Sequence, residues 1–241
     1  MVASRSQAES YIKLGQVLVE GKVVTKPGHM VTPEQQITLL AQEQYVSRAA
    51  LKLASVAKAL GVGFDGKTVL DVGSSTGGFT QYALRQGAAK VIAVEVGKDQ
   101  LHPSLRNEPR IELYEQTDIR YMQPAGSLDA GQGRPVMSAR PDVVVADVSF
   151  ISLREILPHV AKLCGASTDI MAMVKPQFEA AQSSLKHKGV IKNDRMRRDI
   201  LRDFEMWARS NGFVVRDKAD SDVAGAKGNL ERFYLMRVAK T

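Results

Sequence analysis

Apolar residues along the chain follow two alternating rhythms. Short apolar runs, bounded by glycine or charge, recur at 68–72, 90–96, 111–115, 142–147, 169–175, 212–217 and 231–239. Their length and flanks predict strands. Between them, segments 77–86, 152–164 and 194–211 carry apolar residues three or four positions apart, which predicts helices. A further helix is predicted from a Ser47 cap through Leu60, with Ala50, Leu53, Ala54 and Ala57 at helical spacing. Strands alternating with helices argue for an α/β domain, a doubly wound sheet covered on both faces. Residues 124–141, rich in Pro, Ala, Gly, Ser, Gln and Arg, break the rhythm and predict a mobile polar surface loop.

The first 31 residues follow a different pattern. Ser4 or Ser6 can cap a short helix bearing Ala8, Tyr11, Ile12 and Leu14, and Gly15 stops it. Val17 to Val24 reads as a hairpin around Glu20-Gly21, Lys26-Pro27-Gly28 as a turn, and Met30-Val31 as the start of one more short strand. A piece this small buries little core alone. The expected division is a small α+β module over 1–44, with 32–44 as its last part and a short connection, and a larger domain over 45–241.

Composition narrows the picture. Hydrophobic residues make up 44 % of the 241, enough for a real core. Lys+Arg exceed Asp+Glu by 33 to 26, an excess that favours a polyanionic partner such as nucleic acid. A single cysteine, Cys164, excludes an internal disulfide, suits a reducing compartment, and ends an apolar helical pattern where packing explains it. No signal peptide is visible, and no stretch approaches the ~20 apolar residues of a membrane span. A cytoplasmic protein without a membrane partner is expected. His29, His102, His159 and His187 show no metal-ligand spacing, so no metal is expected.

The chemistry concentrates at the ends of the predicted strands. Thr68-Val69-Leu70 runs into Asp71, then a turn with Gly73, Ser74, Ser75, Gly77 and Gly78, and a helix opens at Phe79. A strand, a glycine turn and a helix N-terminus make a cofactor cradle. No Gly-Lys-Ser/Thr follows, so this is not a phosphate-binding P-loop, and the spacing is not Gly-x-Gly-x-x-Gly. A carboxylate at the turn suits a cationic amino-acid ligand better than a pyrophosphate. Glu95 ends the second strand, where an acid typically takes the ribose hydroxyls of an adenosyl cofactor. Asp118 follows the third and is placed to accept from an adenine amino group. Asp147 ends the fourth strand and Lys175, followed by Pro176, the fifth. A lysine leaving an apolar strand can take a proton from an alcohol. Residues 186–198 hold six bases and one acid, which fits an RNA-phosphate surface. Asp220-Ser221-Asp222 with Gly225 and Gly228 reads as an active-site loop in which Ser221 is structural.

The pattern Asp-x-Gly-x-x-x-Gly-Gly from Asp71 resembles motif I of S-adenosylmethionine-dependent methyltransferases. Ser4 to Gly28 resembles the αL RNA-binding module first recognised in a small-subunit ribosomal protein. That likeness implies RNA contacts by Arg5, Lys13, Lys22 and Lys26, and a further helix where Met1 already stands. From Ser4 to about Met236 the chain resembles the TlyA family, known both as hemolysins and as ribosomal RNA 2′-O-methyltransferases with an FtsJ-like catalytic domain. The most specific pieces are Tyr45 to Leu53, Asp71 to Thr80, Ala146 to Leu153, Val174 to Glu179 and Gly228 to Glu231. Ala49 and Ala50 stand where many members carry glycine.

The resemblance implies a Rossmann-like fold with a mostly parallel seven-stranded sheet. It implies S-adenosylmethionine held by Asp71, Gly73, Ser74, Ser75, Gly77, Gly78, Phe79, Glu95, Asp118 and Asp147. The family's Lys-Asp-Lys-Glu tetrad falls on Lys52, Asp147, Lys175 and Glu231. Lys175 would serve as general base or, charged, steady the developing alkoxide, with Asp147 and Glu231 orienting the amines. Arg48, Lys188 and Arg195 would join the RNA contacts. The implied partner is ribosomal RNA or a ribosomal subunit, with cytidine riboses as targets. The rival expectations are a membrane-lytic protein, which would need an exposed amphipathic segment, and a non-catalytic RNA-binding assembly factor, which would show a degraded tetrad.

Overall fold

The computed structural model describes residues 5–40, 45–127, 133–180, 191, 193–223, 225 and 228–239, the side chains of 6 and 7 aside. Helix α1 (Arg5–Lys13) opens the N-terminal module, and strands β1 (Val17–Val19) and β2 (Lys22–Val23) form the predicted antiparallel hairpin. Glu20 and Gly21 both take positive φ, 49° and 73°, as a tight hairpin turn between right-twisted strands requires. The strand expected at Met30-Val31 does not form. Met30 is 88 % exposed, and Pro33 follows too closely for a ladder to develop. The third strand is instead β3 (Ile37–Leu39), antiparallel to β1, within the stretch expected to hold the last part of the module and a short connection.

Helix α2 spans Arg48–Ala57 and stops short of the predicted Leu60. Ser47 occupies the N-cap position, but its hydroxyl makes no cap bond. The main sheet comprises β4 (Thr68–Val72), β5 (Lys90–Val94), β6 (Ile111–Tyr114), β7 (Val143–Ala146), β8 (Asp169–Val174), β9 (Phe213–Asp220) and β10 (Arg232–Val238). Helices α3 (Gly78–Arg85), α4 (Leu153–Leu163), α5 (Pro176–Glu179) and α6 (Asp194–Ser210) complete the order. The strands run β6-β5-β4-β7-β8-β10-β9 across the sheet. The first five are parallel, and β10 lies antiparallel to both β8 and β9.

Successive side chains point to opposite faces of a strand, so each strand supplies two cores. Leu70, Val72, Val144, Ala146, Ile170, Ala172 and Tyr234 pack under α4 and α6. Val69, Val143, Val145, Met171, Met173, Phe233 and Leu235 pack under α2 and α3. That second face carries the chemistry described below.

Gly78 begins α3 where it crosses α2. A Cβ there would lie 2.9 Å from Ala49 Cβ and 3.0 Å from Ala50 N, and would also collide with Ser47 Oγ. Gly78→Val is therefore expected to push the helices apart and cost about 1–3 kcal/mol, read as a lower urea midpoint at unchanged slope.

Two features escaped the sequence pattern. Helix α5 is a single turn opened by Pro176, too short for any periodicity. The insertion 124–141 is not loop throughout. Met137 is buried in the core, and the Tyr114 hydroxyl donates to the Val136 carbonyl at 2.9 Å. Its polar composition masked two apolar residues that return the chain to the sheet. Residues 128–132 lie outside the described segments.

Candidate active site

The carboxyl ends of β4, β5 and β7 enclose a cavity of about 520 Å³. Ligands of open α/β sheets bind at this end. Gly73 and Ser75 form one wall from the glycine turn, and Glu95 and Thr117 to Arg120 another. Asp147 to Ile151 close the third. Glu95 accepts from the Ser75 N–H at 2.9 Å and the Gly97 N–H at 2.7 Å, which ties the end of β5 to the turn after β4. Asp118 accepts from the Arg120 backbone N–H, and its side chain grips both Asp118 oxygens. The hydrogen bonds from Arg120 hold the Asp118 carboxyl below its ordinary range, against the effect of burial. An adenine amino group at this acid would share it with the guanidinium.

The residues expected at the cofactor separate into two layers. Gly73, Ser75, Glu95, Asp118 and Asp147 line the cavity. Asp71, Ser74, Gly77, Gly78 and Phe79 stand outside that lining. Gly73 has φ +80°, and a Cβ would come within 2.9 Å of the Asp147 carbonyl, so glycine lets the ends of β4 and β7 touch. Phe79 is core, 6.0 Å from the Phe233 ring centre. The Ser74 hydroxyl is buried and finds no hydrogen-bond partner among the described residues.

Asp71 is fully buried, and Thr80 donates to its Oδ2 at 2.6 Å. Its Oδ1 has no partner among the described residues. Burial first, then the charges of Asp147 and Glu95, push the carboxyl up to about 7, against the hydrogen bond from Thr80. A carboxyl raised on folding binds its proton more tightly in the native state. Its contribution to stability is thus fully present below the ordinary value of 3.8 and is lost as pH rises through about 7. At about 1.4 kcal/mol per unit the loss is roughly 4 kcal/mol. Asp71→Asn should flatten the decline of thermal stability between about pH 4 and pH 7. A variant whose midpoints keep the wild-type slope over that window would refute this assignment.

The second face of the sheet gathers the remaining groups. Continuing the alternation of Val143 and Val145 places Asp147 there. Met171 and Met173 lead to Lys175, and Leu235 and Phe233 lead back to Glu231. Arg232 pairs with Val174, so the next residues out, Glu231 and Lys175, are opposite one another. Lys175 Nζ lies 2.6 Å from Asp147 Oδ1, donates to Ser149 Oγ at 2.7 Å, and stands 5.8 Å from the Phe178 ring centre. Lys52, reaching in from α2, meets Glu231 at 2.6 Å. Both lysines and Glu231 are buried. Gly225 lies so close to Glu231 that a Cβ would overlap the carboxylate. Ser221 donates to the Val223 carbonyl and accepts its N–H, a structural loop bond.

Sequence reasoning assigned no role to Ser149 or Phe150. Ser149 falls two positions beyond Asp147, so strand alternation alone could have drawn attention to it. Phe150 holds a left-handed backbone (φ +67°), is 92 % exposed, and packs its ring 5.4 Å from Phe178. A non-glycine residue held this way marks a constrained position.

The expected RNA contacts divide. Lys13, Lys22, Lys26 and Arg195 are exposed. Arg5 is exposed and paired with Glu9, and Arg48 is half-buried in the first turn of α2. Within the basic stretch, Arg197 corrects the expectation of an all-surface patch. It is buried, donates to the Leu230 carbonyl and pairs with Asp220 at 2.6 Å. Helical spacing turns Arg197 inward beside Ile200 and Leu201 while Arg198 stays outside. Lys188 lies outside the described residues.

A cationic adenosyl cofactor fits this site. Glu95 and Asp147 offer carboxylates at the wall, the orphan Asp71 oxygen is an unused acceptor behind it, and Ile119, Ile151 and Ile156 give apolar surface.

Comparison with known proteins gives the family. The model of the FtsJ-like methyltransferase family matches residues 45–238, and that of the S4 domain matches residues 1–37. The chain is 34 % identical over 239 residues to the 16S/23S rRNA (cytidine-2′-O)-methyltransferase TlyA of Mycobacterium tuberculosis, covering 98 % of this chain and 85 % of that protein. It is 35 % identical over 228 residues to Hemolysin A of Brachyspira hyodysenteriae, covering 95 % and 91 %. A solved structure of a protein described as a hemolysin from Streptococcus thermophilus superposes with a TM-score of 0.73 at 30 % identity, covering all of this chain and 85 % of that one.

Proposed function

Because the chain belongs to the TlyA family of FtsJ-like methyltransferases with an S4 domain, we propose that it methylates the ribose 2′-oxygen of a cytidine in ribosomal RNA. S-adenosylmethionine is the cofactor and supplies a methyl group activated on a sulfonium. The observation that carries this reading is the sharing of Asp147: its side chain holds Lys175, and the same residue lines the cofactor cavity. Acceptor activation and cofactor binding thus meet at one residue.

A ribose hydroxyl is a weak nucleophile and sheds its proton as it attacks. Lys175 Nζ serves the reacting oxygen, accepting its proton or, as an ammonium, stabilising the developing alkoxide. Asp147 and Ser149 fix the nitrogen in either state. Glu231, opposite Lys175 and neutralised by Lys52, completes the ring of charge around the acceptor. Transfer of the methyl group would demand positioning of the ribose hydroxyl above all, which rigid strand ends provide.

Phe150 gives the target base a platform beside Lys175. Unpaired bases stack on exposed aromatic rings for about 1–3 kcal/mol each. Phe150→Ala should therefore lower kcat/KM for RNA roughly 5- to 150-fold; because Phe150 also borders the cofactor cavity, calorimetric cofactor titration beside steady-state kinetics separates lost base stacking from weakened cofactor binding. The exposed Lys13, Lys22 and Lys26 of the S4 module supply phosphate contacts away from the reacting ribose.

The test is transfer of labelled methyl from S-adenosylmethionine to unmethylated ribosomal subunits, followed by digestion to nucleosides. Label in 2′-O-methylcytidine is the expected result. Label on a base, or none despite cofactor binding, would overturn it. The hemolysin name of some relatives finds no support in the helices: among the described residues none is long and apolar enough to cross a membrane.

A further inference from the structure

The segment from Asp147 to Ser152 belongs to neither helix nor strand, yet it bears Asp147, Ser149 and the left-handed Phe150. Left-handed backbone at a bulky residue costs about 1–3 kcal/mol and persists only where its surroundings impose it. The Asp147 N–H donates to the Val72 carbonyl, and Val148 and Ile151 pack against the core; the rest of the restraint comes from one turn of chain. Lys175 holds Asp147 and Ser149, the Phe178 ring backs Phe150, and Glu179 takes the far end. Glu179 is 1 % exposed. Its Oε2 accepts from the Ser152 hydroxyl at 2.6 Å, and its Oε1 accepts from the Leu153 N–H at 2.8 Å. Arg154 Nε stands 3.4 Å away and the same side chain pairs with Asp203 of α6 at 2.8 Å, so the buried charge is compensated and anchored.

We infer that Glu179 is a positioning residue for the methyl-transfer site: it fastens the Asp147–Ser152 segment to the helix turn that begins at Lys175, and thereby sets the Lys175–Asp147–Ser149 geometry. This rests on the function proposed above. The connection is short. The Phe178 N–H donates to the Lys175 carbonyl at 2.9 Å, so Lys175 and Glu179 bracket one turn of α5. Besides Glu179, Lys175 itself and the Phe178 ring join that turn to the segment. Burial holds the Glu179 carboxyl above its ordinary range, against the hydrogen bonds from Ser152 and Leu153 and the charge of Arg154. The group is thus kept in place at a cost in desolvation, as a residue with a positioning duty would be.

A plain helix cap would explain the Ser152 and Leu153 bonds equally well, so the test must separate the two roles. Glu179→Ala and Glu179→Gln are compared with wild type in full-length protein, at a temperature where all remain folded. Glu179→Ala should lower kcat about 10²-fold, the scale of a small misplacement of reacting groups. Cofactor affinity and KM for ribosomal RNA should stay within about threefold. Glu179→Gln, which keeps shape and one acceptor, should recover most of the rate. Independently of activity, NMR of lysine-labelled protein should show the Lys175 side-chain signal moving in Glu179→Ala. A lower melting temperature with unchanged kcat and an unmoved Lys175 signal would reduce Glu179 to a cap and overturn the inference. A moved Lys175 signal in a protein whose wild type transfers no methyl to RNA would support the positioning role while sinking the proposed substrate.

Discussion

Lys175→Ala is expected to lower kcat for methyl transfer about 10²- to 10⁴-fold, with cofactor binding close to wild type. The side chain leaves the strand end toward Asp147 and Ser149 and is absent from the cavity lining, so its loss removes the group that serves the hydroxyl but little of the cofactor's surface. Lys175→Arg distinguishes the two ways in which the amine can act. Arginine stays protonated and cannot accept the hydroxyl proton. Residual activity within tenfold of wild type would assign the residue to alkoxide stabilisation. A loss equal to that of alanine would assign it to proton removal. Wild-type rates for Lys175→Ala would remove Lys175 from the reaction altogether.

Lys52→Met should damage both fold and activity. Lys52 and Glu231 form a buried pair at 2.6 Å. Removing one partner of a buried pair costs about 3–5 kcal/mol because the other charge is stranded. For a chain of this size that is a fall in melting temperature of roughly 6–20 °C. The double variant Lys52→Met with Glu231→Leu strands no charge and should regain most of the stability. Its activity should not return, because the carboxylate opposite Lys175 is gone. Thermal melts beside single-turnover kinetics separate the effects. A double variant that recovers both would make the pair purely structural, and one that recovers neither would point to misfolding where Gly225 abuts residue 231.

Much of the fold was legible because the strands of a doubly covered sheet are apolar on both faces and short. The main-sheet strands lie where the apolar runs placed them, and glycine, proline and charge mark most of their ends. The misses have local causes. Met30-Val31 has strand-forming residues but no room before Pro33, while Ile37-Thr38-Leu39 was hidden in a polar stretch. A run of bases was read as surface, although a helix turns every third or fourth residue inward, and Arg197 went in with a carboxylate to meet it. The glycine turn was read as a ligand contact throughout. Gly73 and Ser75 line the cavity, whereas Gly78 is glycine because α2 crosses over it.

The amino-acid sequence by itself determined which residues could do chemistry and which face of the sheet they would share. Asp71, Asp147, Lys175 and Glu231 follow or precede apolar partners at spacings of two, and the pleat of a strand turns that parity into a common side. What only the tertiary structure decided is who meets whom. The order β4-β7-β8-β10 and the reversed direction of β10 bring Glu231, far along the chain, opposite Lys175. The crossing of α2 brings Lys52 to the same place. Pairing across a sheet depends on strand order and direction, which arise from the burial of all the helices at once. Parity is a local property of covalent geometry, whereas partnership is a property of the whole packed chain.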